Sequence, residues 1–371
     1  MNKYKKAIIE LLNQADIKIN GSRPEDIQVH DERLYKRVLS GGSLALGESY
    51  MDGWWTCKSL EKLFEKIIRA RLDAKAIGLK NIIGPYLAAK LLNKQKTKAY
   101  HIGEWHYDTG NDLYKAMLDK YMNYSCGYWK KAKTLDQAQL DKMDLICKKL
   151  KLKKGMTLLD IGCGWGGLLK YAAQKYGVKG HGVTVSKEQA KLARENCKGL
   201  PITIEVIDYR KLDKKFDRIV SIGMIEHVGP KNYKEYFKTA NKCMRDDGIF
   251  LLHTIGSKES NTGPGDPWIH KYIFPDGKLP SVKQLAQASE PYFMIEDLHN
   301  FGIYYSYTLD SWFKNFKSAW PKLKHKYDER FYKMWEYYLR MFVGTFKARH
   351  NQLWQIVLSK NGVEGGYESV R

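Results

Sequence analysis

Leu158-Leu159-Asp160-Ile161-Gly162-Cys163-Gly164-Trp165-Gly166-Gly167 is the most informative stretch of the chain. A short apolar run carrying an acid opens into a glycine-rich turn, the form of a strand that ends against a ligand before a helix begins. Glycine permits the sharp turn and lets the backbone approach a bound molecule closely. Gly162, Gly164 and Gly167 also satisfy G-x-G-x-x-G, so a dinucleotide site competes for the same residues. Such a site wants an acid about 20 residues further on for the ribose hydroxyls. The end of the next apolar run, Gly182-Val183-Thr184-Val185-Ser186, holds no carboxylate, and this weakens the dinucleotide reading. Thr184 and Gln189 are the polar contacts left there.

Outward from this turn, short apolar runs alternate with helical patterns from Thr134 onward, the signature of a parallel sheet with crossover helices. Strands are expected at Thr157 to Ile161, His181 to Val185, Ile202 to Ile207, Arg218 to Ile222 and Ile249 to Thr254. Tyr292 to Leu298 and Leu353 to Leu358 would complete seven. Thr134 and Gln137 are expected to form a capping box, followed by an apolar stripe of Leu135, Ala138, Met143, Ile146 and Leu150. Residues 1–95 carry helical periodicity instead, as in Leu60, Leu63, Ile67 and Ile68. Within them, residues 41–55 are glycine-punctuated and end in Trp54-Trp55, which predicts a compact, turn-rich unit. A polar stretch at 93–98 divides the chain into a small, mainly helical basic domain, 1–95, and an α/β domain, 96–371, with a seven-stranded, mostly parallel sheet.

Lys and Arg outnumber Asp and Glu by 63 to 41 in 371 residues, a net charge of +22. This favours a polyanionic partner, either nucleic acid or an anionic bilayer, unless the Lys-rich surface is simply solvated. The six cysteines are scattered without zinc-like spacing, as in a reduced, cytoplasmic protein with no metal. No segment approaches the ~20 apolar residues that span a bilayer, so a membrane would be touched from outside.

Ile207-Asp208-Tyr209-Arg210 ends the third strand. Asp208 can accept from an adenine amine and Tyr209 can offer a stacking face, or Asp208 is simply a helix N-cap. Glu226 follows the fourth strand and His253 lies at the end of the fifth. Both sit where ligands bind in open α/β sheets, and a pair at adjacent strand ends points to chemistry.

The acid followed by Gly-x-Gly-x-Gly resembles motif I of class I methyltransferases, whose S-adenosylmethionine carries a sulfonium and no diphosphate. The stretches 106–112, 124–129, 160–167, 223–233, 253–256 and 271–275, with 47–55 in the leader, look like the bacterial cyclopropane fatty acid synthases. That resemblance runs through both domains. It implies a Rossmann-like class I methyltransferase fold and transfer of a methylene bridge from S-adenosylmethionine to a cis double bond of a phospholipid acyl chain. It further implies bicarbonate as proton acceptor, cradled by Cys126, Glu226, His253, the Ile255 backbone and Tyr305. Tyr124, Ser125, Asp160, Gly162, Gly164, Thr184, Val185, Gln189, Asp208 and Tyr209 would hold the cofactor, with Tyr124 and Ser125 closing over its carboxylate end. Cys126 has three readings: a positional group, a nucleophile, or a small buried hydrophobe. Aromatics including Tyr272, Phe274, Phe301, Tyr304, Trp312, Phe313, Phe316 and Trp320 would line an acyl tunnel or pack a core. The resemblance also implies a homodimer held peripherally on the inner face of the membrane, with the basic leader on anionic headgroups. The rival enzyme reading, an RNA methyltransferase, predicts an Asn-Pro-Pro-Tyr-like or cysteine motif after strand four, where this chain has Glu-His-Val-Gly-Pro. A lipid-binding module without activity would lack Glu226, His253 or Tyr305.

Overall fold

The computed structural model describes residues 3–72, 110–260 and 265–371. The division expected near residue 95 lies outside the described residues. The chain forms two compact units that interleave along the sequence: 3–72 join 265–275 and 305–351, while 110–260 join 276–304 and 352–371.

The first unit is mainly helical. It holds α1 (Lys3–Asn13), α2 (Arg33–Met51), α3 (Leu60–Arg69) and the two-residue strands β1 (Gln28–Val29) and β2 (Trp55–Thr56). Residues 41–55 are not the turn-rich unit expected from their glycines. Most of them continue α2, with one kink at Gly42 (φ 62°). Gly47 serves close packing instead: a Cβ there would lie 2.4 Å from the Trp268 ring. Trp55 and Trp268 are fully buried, and the Trp55 indole donates to Leu46 O at 3.0 Å. Burying an aromatic of this size is worth about 2–3 kcal/mol.

The second unit carries the sheet. In chain order come α4 (Asn111–Met117), α5 (Leu135–Lys149), β3 (Thr157–Ile161), α6 (Gly167–Tyr176), β4 (Lys179–Thr184), α7 (Lys187–Asn196), β5 (Ile202–Val206), β6 (Phe216–Ile222), α8 (Tyr233–Lys242) and β7 (Met244–Ser257). The short α9 (Pro267–Tyr272) belongs to the first unit. Then α10 (Val282–Ser289) and β8 (Met294–Asn300) precede α11 (Ile303–Leu323) and α12 (Glu329–Lys347), which from residue 305 on belong to the first unit, and β9 (Asn351–Ser359). The strand order is β5-β4-β3-β6-β7-β9-β8. β3 pairs in parallel with both β4 and β6, and β8 pairs antiparallel with β9. All seven expected strands are present, and the order reverses between β3 and β6. At such a switch point the loops leaving the two strands diverge and open a crevice for a ligand.

Leu158 joins one apolar cluster with Met143 and Ile146 of α5, while Leu159 and Ile161 join the other with Tyr236 and Phe237 of α8. This is the period-two alternation of a strand buried on both faces. Only half of the expected capping box forms at α5. Thr134 accepts from the Gln137 N–H, but the Gln137 side chain donates to Asp141 at 2.6 Å rather than reaching back. A carboxylate one turn ahead is the stronger acceptor. Trp312 and Phe316 are fully buried, with Phe316 stacked on Tyr332, so these two aromatics pack a core. No helix among the described residues is long and apolar enough to cross a membrane.

Candidate active site

β3 delivers Asp160 to the switch point. Its carboxyl is 3% exposed, and Oδ1 has no hydrogen-bond partner. Burial pushes its pKa up to about 7, against the pull of Lys142. The turn after it needs glycine at 162, where φ is 87° and a Cβ would lie 2.9 Å from Met224. Beside Gly164 the space is open, with nothing nearer to a Cβ than Gln189 Nε2 at 3.9 Å. An opening beside an unsatisfied carboxylate fits a cofactor with a cationic amino-acid end.

At the end of β4, Thr184 Oγ1 donates to Gln189 Oε1 at 3.1 Å, and Ser186 caps α7 by accepting from the Gln189 N–H. Val185, half-buried, lies between them. After β5, Asp208 caps a 3-10 turn and is bound by its neighbour: it accepts from the Arg210 N–H and pairs with its guanidinium. Burial opposes the charge, yet the Arg210 bonds hold the carboxyl below its usual range. Tyr209 packs into the apolar cluster, edge-on to Tyr236, and its hydroxyl has no partner.

Tyr124, half-buried, meets Tyr114 edge-on at 5.2 Å, and Tyr114 leans on Trp165 of the glycine turn. Ser125 and Cys126 are buried. α5 grips this strand of chain twice: Gln139 Nε2 donates to Ser125 O at 2.8 Å and Lys142 Nζ to Ser125 Oγ at 2.9 Å. The Cys126 thiol donates to the Gly127 carbonyl at 3.2 Å.

β6 and β7 bring the second group of residues together. Glu226 sits in a short 3-10 turn, 7% exposed; Oε1 accepts from the Ile255 N–H at 2.8 Å, while Oε2 is buried without a partner. Burial pushes its pKa up to about 7. The backbone of Ile255 therefore acts first by fixing Glu226. His253, 1% exposed, has Nδ1 3.3 Å from the Gln355 amide nitrogen of β9. With that amide donating, the ring proton sits on Nε2, which has no partner. Burial, with Lys142 and Lys149, holds this imidazole well below its usual pKa and thus neutral. One acceptor and one donor, both desolvated and both unsatisfied, are what a small oxyanion such as bicarbonate requires. Tyr305 belongs to the first unit, where it stacks on Phe346 at 4.6 Å and meets Trp312 edge-on.

Residues 94–356 match the mycolic acid cyclopropane synthetase family. The chain belongs to this family. It is 53% identical over 363 residues to the cyclopropane-fatty-acyl-phospholipid synthase of Escherichia coli (strain K12), covering 98% of this chain and 94% of that one. Among solved structures, a cyclopropane synthase from Mycobacterium tuberculosis superposes with a TM-score of 0.66 at 30% identity, over 70% of this chain and 98% of the other. A mycolic acid cyclopropane synthase complexed with SAH and CTAB gives the same TM-score at 31% identity over the same shares. The fold is thus that of the class I S-adenosylmethionine-dependent methyltransferases.

Within this cyclopropane synthase frame, sequence reasoning passed over Lys142, Gln139 and Gln355, which hold Ser125 and His253. Lys142 did carry a signal. It falls at helical spacing between Ala138 and Ile146 on the apolar stripe of α5. Gln355 had none, because only the pairing of distant strands brings it to His253.

Proposed function

We propose that this enzyme transfers a methylene group from S-adenosylmethionine to the cis double bond of an unsaturated acyl chain in a membrane phospholipid, forming a cyclopropane. When bound, the cofactor supplies an electrophilic methyl on a sulfonium. The glycine turn with Asp160, Gly162 and Gly164 receives it; Thr184, Val185, Gln189, Asp208 and Tyr209 flank the adenosine, and Tyr124 and Ser125 close over the carboxylate end. An alkene is a weak nucleophile, and the cation its attack leaves on the acyl chain must lose a proton to a base rather than meet water. Glu226 Oε2, as acceptor, and His253 Nε2–H, as donor, would hold a bicarbonate, which would supply the base that the proton of the added methyl requires. Cys126 and the Ile255 backbone shape that cradle.

The observation that carries this reading is the pair of desolvated, unsatisfied atoms, Glu226 Oε2 in the turn after β6 and His253 Nε2 on β7, in a chain with a 53% identical phospholipid-modifying relative. The charge of +22 suits a peripheral position on an anionic cytoplasmic leaflet, where each Lys or Arg at the surface contributes about 1 kcal/mol. A homodimer on that surface is part of the same reading. The test is incubation with methyl-labelled S-adenosylmethionine and either unsaturated phospholipid vesicles or RNA. Label recovered in lipid as a cyclopropyl chain is expected; label in RNA alone overturns the proposal.

A further inference from the structure

Lys142 is a fully buried lysine with an unusual set of partners. Its Nζ donates to Ser125 Oγ at 2.9 Å and Asn123 Oδ1 at 3.2 Å, both neutral. No carboxylate among the described residues forms an ion pair with it. Asp119, which attracts it, is engaged elsewhere, accepting from Tyr121 and Asn123. Asp160 also attracts it without pairing. An ammonium has three donors and this one uses two. Burial lowers its pKa to about 8, against the pull of Asp119, so an anion at the open donor would favour the charged form.

The serine sharpens the point. A hydroxyl carries one hydrogen, and the Ser125 oxygen already faces Lys142 as an acceptor. Its hydrogen therefore points away from the lysine, and no acceptor among the described residues receives it. The carbonyl of the same residue is fixed by Gln139. The result is a held donor backed by Lys142, which also attracts the unsatisfied carboxylate of Asp160.

We propose that Lys142 is a positioning residue for the amino-acid end of the cofactor: it turns the Ser125 hydroxyl into a donor for the α-carboxylate, and its charge is the one that carboxylate neutralises. Asp160 answers the α-ammonium in the same way, so the zwitterion meets opposite charges in matching order. This rests on the proposed placement of the cofactor beside Tyr124 and Ser125.

The test is calorimetric binding to the full chain of S-adenosylhomocysteine and of 5′-methylthioadenosine, which keeps the nucleoside thioether but lacks the amino-acid end. K142M is expected to weaken S-adenosylhomocysteine about tenfold or more and to leave methylthioadenosine within about twofold of the native value. K142R, which keeps the charge, is expected to recover most of that loss. Equal loss of both ligands, the result of a merely structural lysine, overturns the proposal, as does no loss of either. If K142M does not fold, S125A carries the test: it should weaken S-adenosylhomocysteine alone, and unchanged affinity overturns the proposal. A native chain that binds neither ligand would instead overturn the cofactor placement, a separate failure.

Discussion

Lys142 and Lys149 lie two turns apart on α5, and both are fully buried, yet their surroundings differ. Lys149 stands 3.6 Å from Asp297 on β8, whose carboxylate is also gripped by the Arg371 guanidinium at 2.5 and 2.6 Å. Burial lowers the pKa of both lysines to about 8, but Lys149 has Asp297 opposing, meets His299 Nδ1 at 3.1 Å, and has its carbonyl tied down by the Tyr367 hydroxyl. That charge is closed on itself. Lys142, with Asp160, Glu226 and His253, is not: each is desolvated and each keeps at least one hydrogen-bonding atom or donor unanswered. Burial alone therefore does not mark the functional residues. What sets these four groups apart is a buried hydrogen-bonding position left open, the position the proposed ligands would fill.

The largest effect that contrast predicts is on turnover. Glu226→Gln keeps the Ile255 bond but removes the carboxylate, and ring formation should fall about a hundredfold or more. S-adenosylhomocysteine affinity by calorimetry should barely move. Unchanged turnover would remove Glu226 from the chemistry.

The next is on stability, at the closed site. Asp297→Asn leaves Lys149 and Arg371 facing each other, and urea unfolding should show a loss of about 3 kcal/mol or more. Cofactor affinity in the folded protein should stay at the native value, as it should in Lys149→Met. A loss of affinity in either would erase the distinction between the two lysines.

A smaller effect is the pH dependence of unfolding. Glu226 has a folded pKa near 7 against an ordinary 4.5. Between those values the folded chain holds a proton that the unfolded chain has released, so stability falls as pH rises through this window and the cost is complete above about 7. Glu226→Gln should thus be more stable than the native chain at alkaline pH, on the order of 2 kcal/mol, and lose that advantage below about pH 4.5. Thermal scans at several pH values read this directly. An advantage independent of pH would mean that the carboxyl is not desolvated.

Smallest per residue are the exposed charges. Binding to anionic vesicles, followed by co-sedimentation, should weaken steadily as salt rises past about 0.1 M. Salt-insensitive binding would point to apolar insertion.

The sheet was legible in the sequence because strands buried on both faces are short apolar runs, and Asp160 to Gly167 is punctuated by residues that only a tight turn needs. Glu226 was expected just after the fourth strand and lies there, whereas His253, expected at the end of the fifth, lies within it because that strand runs on to Ser257. The remainder was hidden for identifiable reasons. In the segment 41–55, glycines used for close helix packing at Gly47 look the same as glycines used for turns. A lysine among charged neighbours on an amphipathic helix looks solvated, and Lys142 departs from that only in its spacing. Asp208 carried both a cap and a ligand reading, and the adjacent Arg210 occupies it in a way that spacing does not reveal. The interleaving of 265–275 and 305–351 with the leader is a property of distant packing and leaves no local mark.

The most direct test follows the hydrogens of the transferred methyl. With trideuteromethyl S-adenosylmethionine and a phospholipid carrying a cis double bond, mass spectrometry of the acyl chain should find a ring that retains two of the three labels, the third having left with the proton. A product that retains all three as a methyl branch, or no transfer to the lipid at all, would contradict the account.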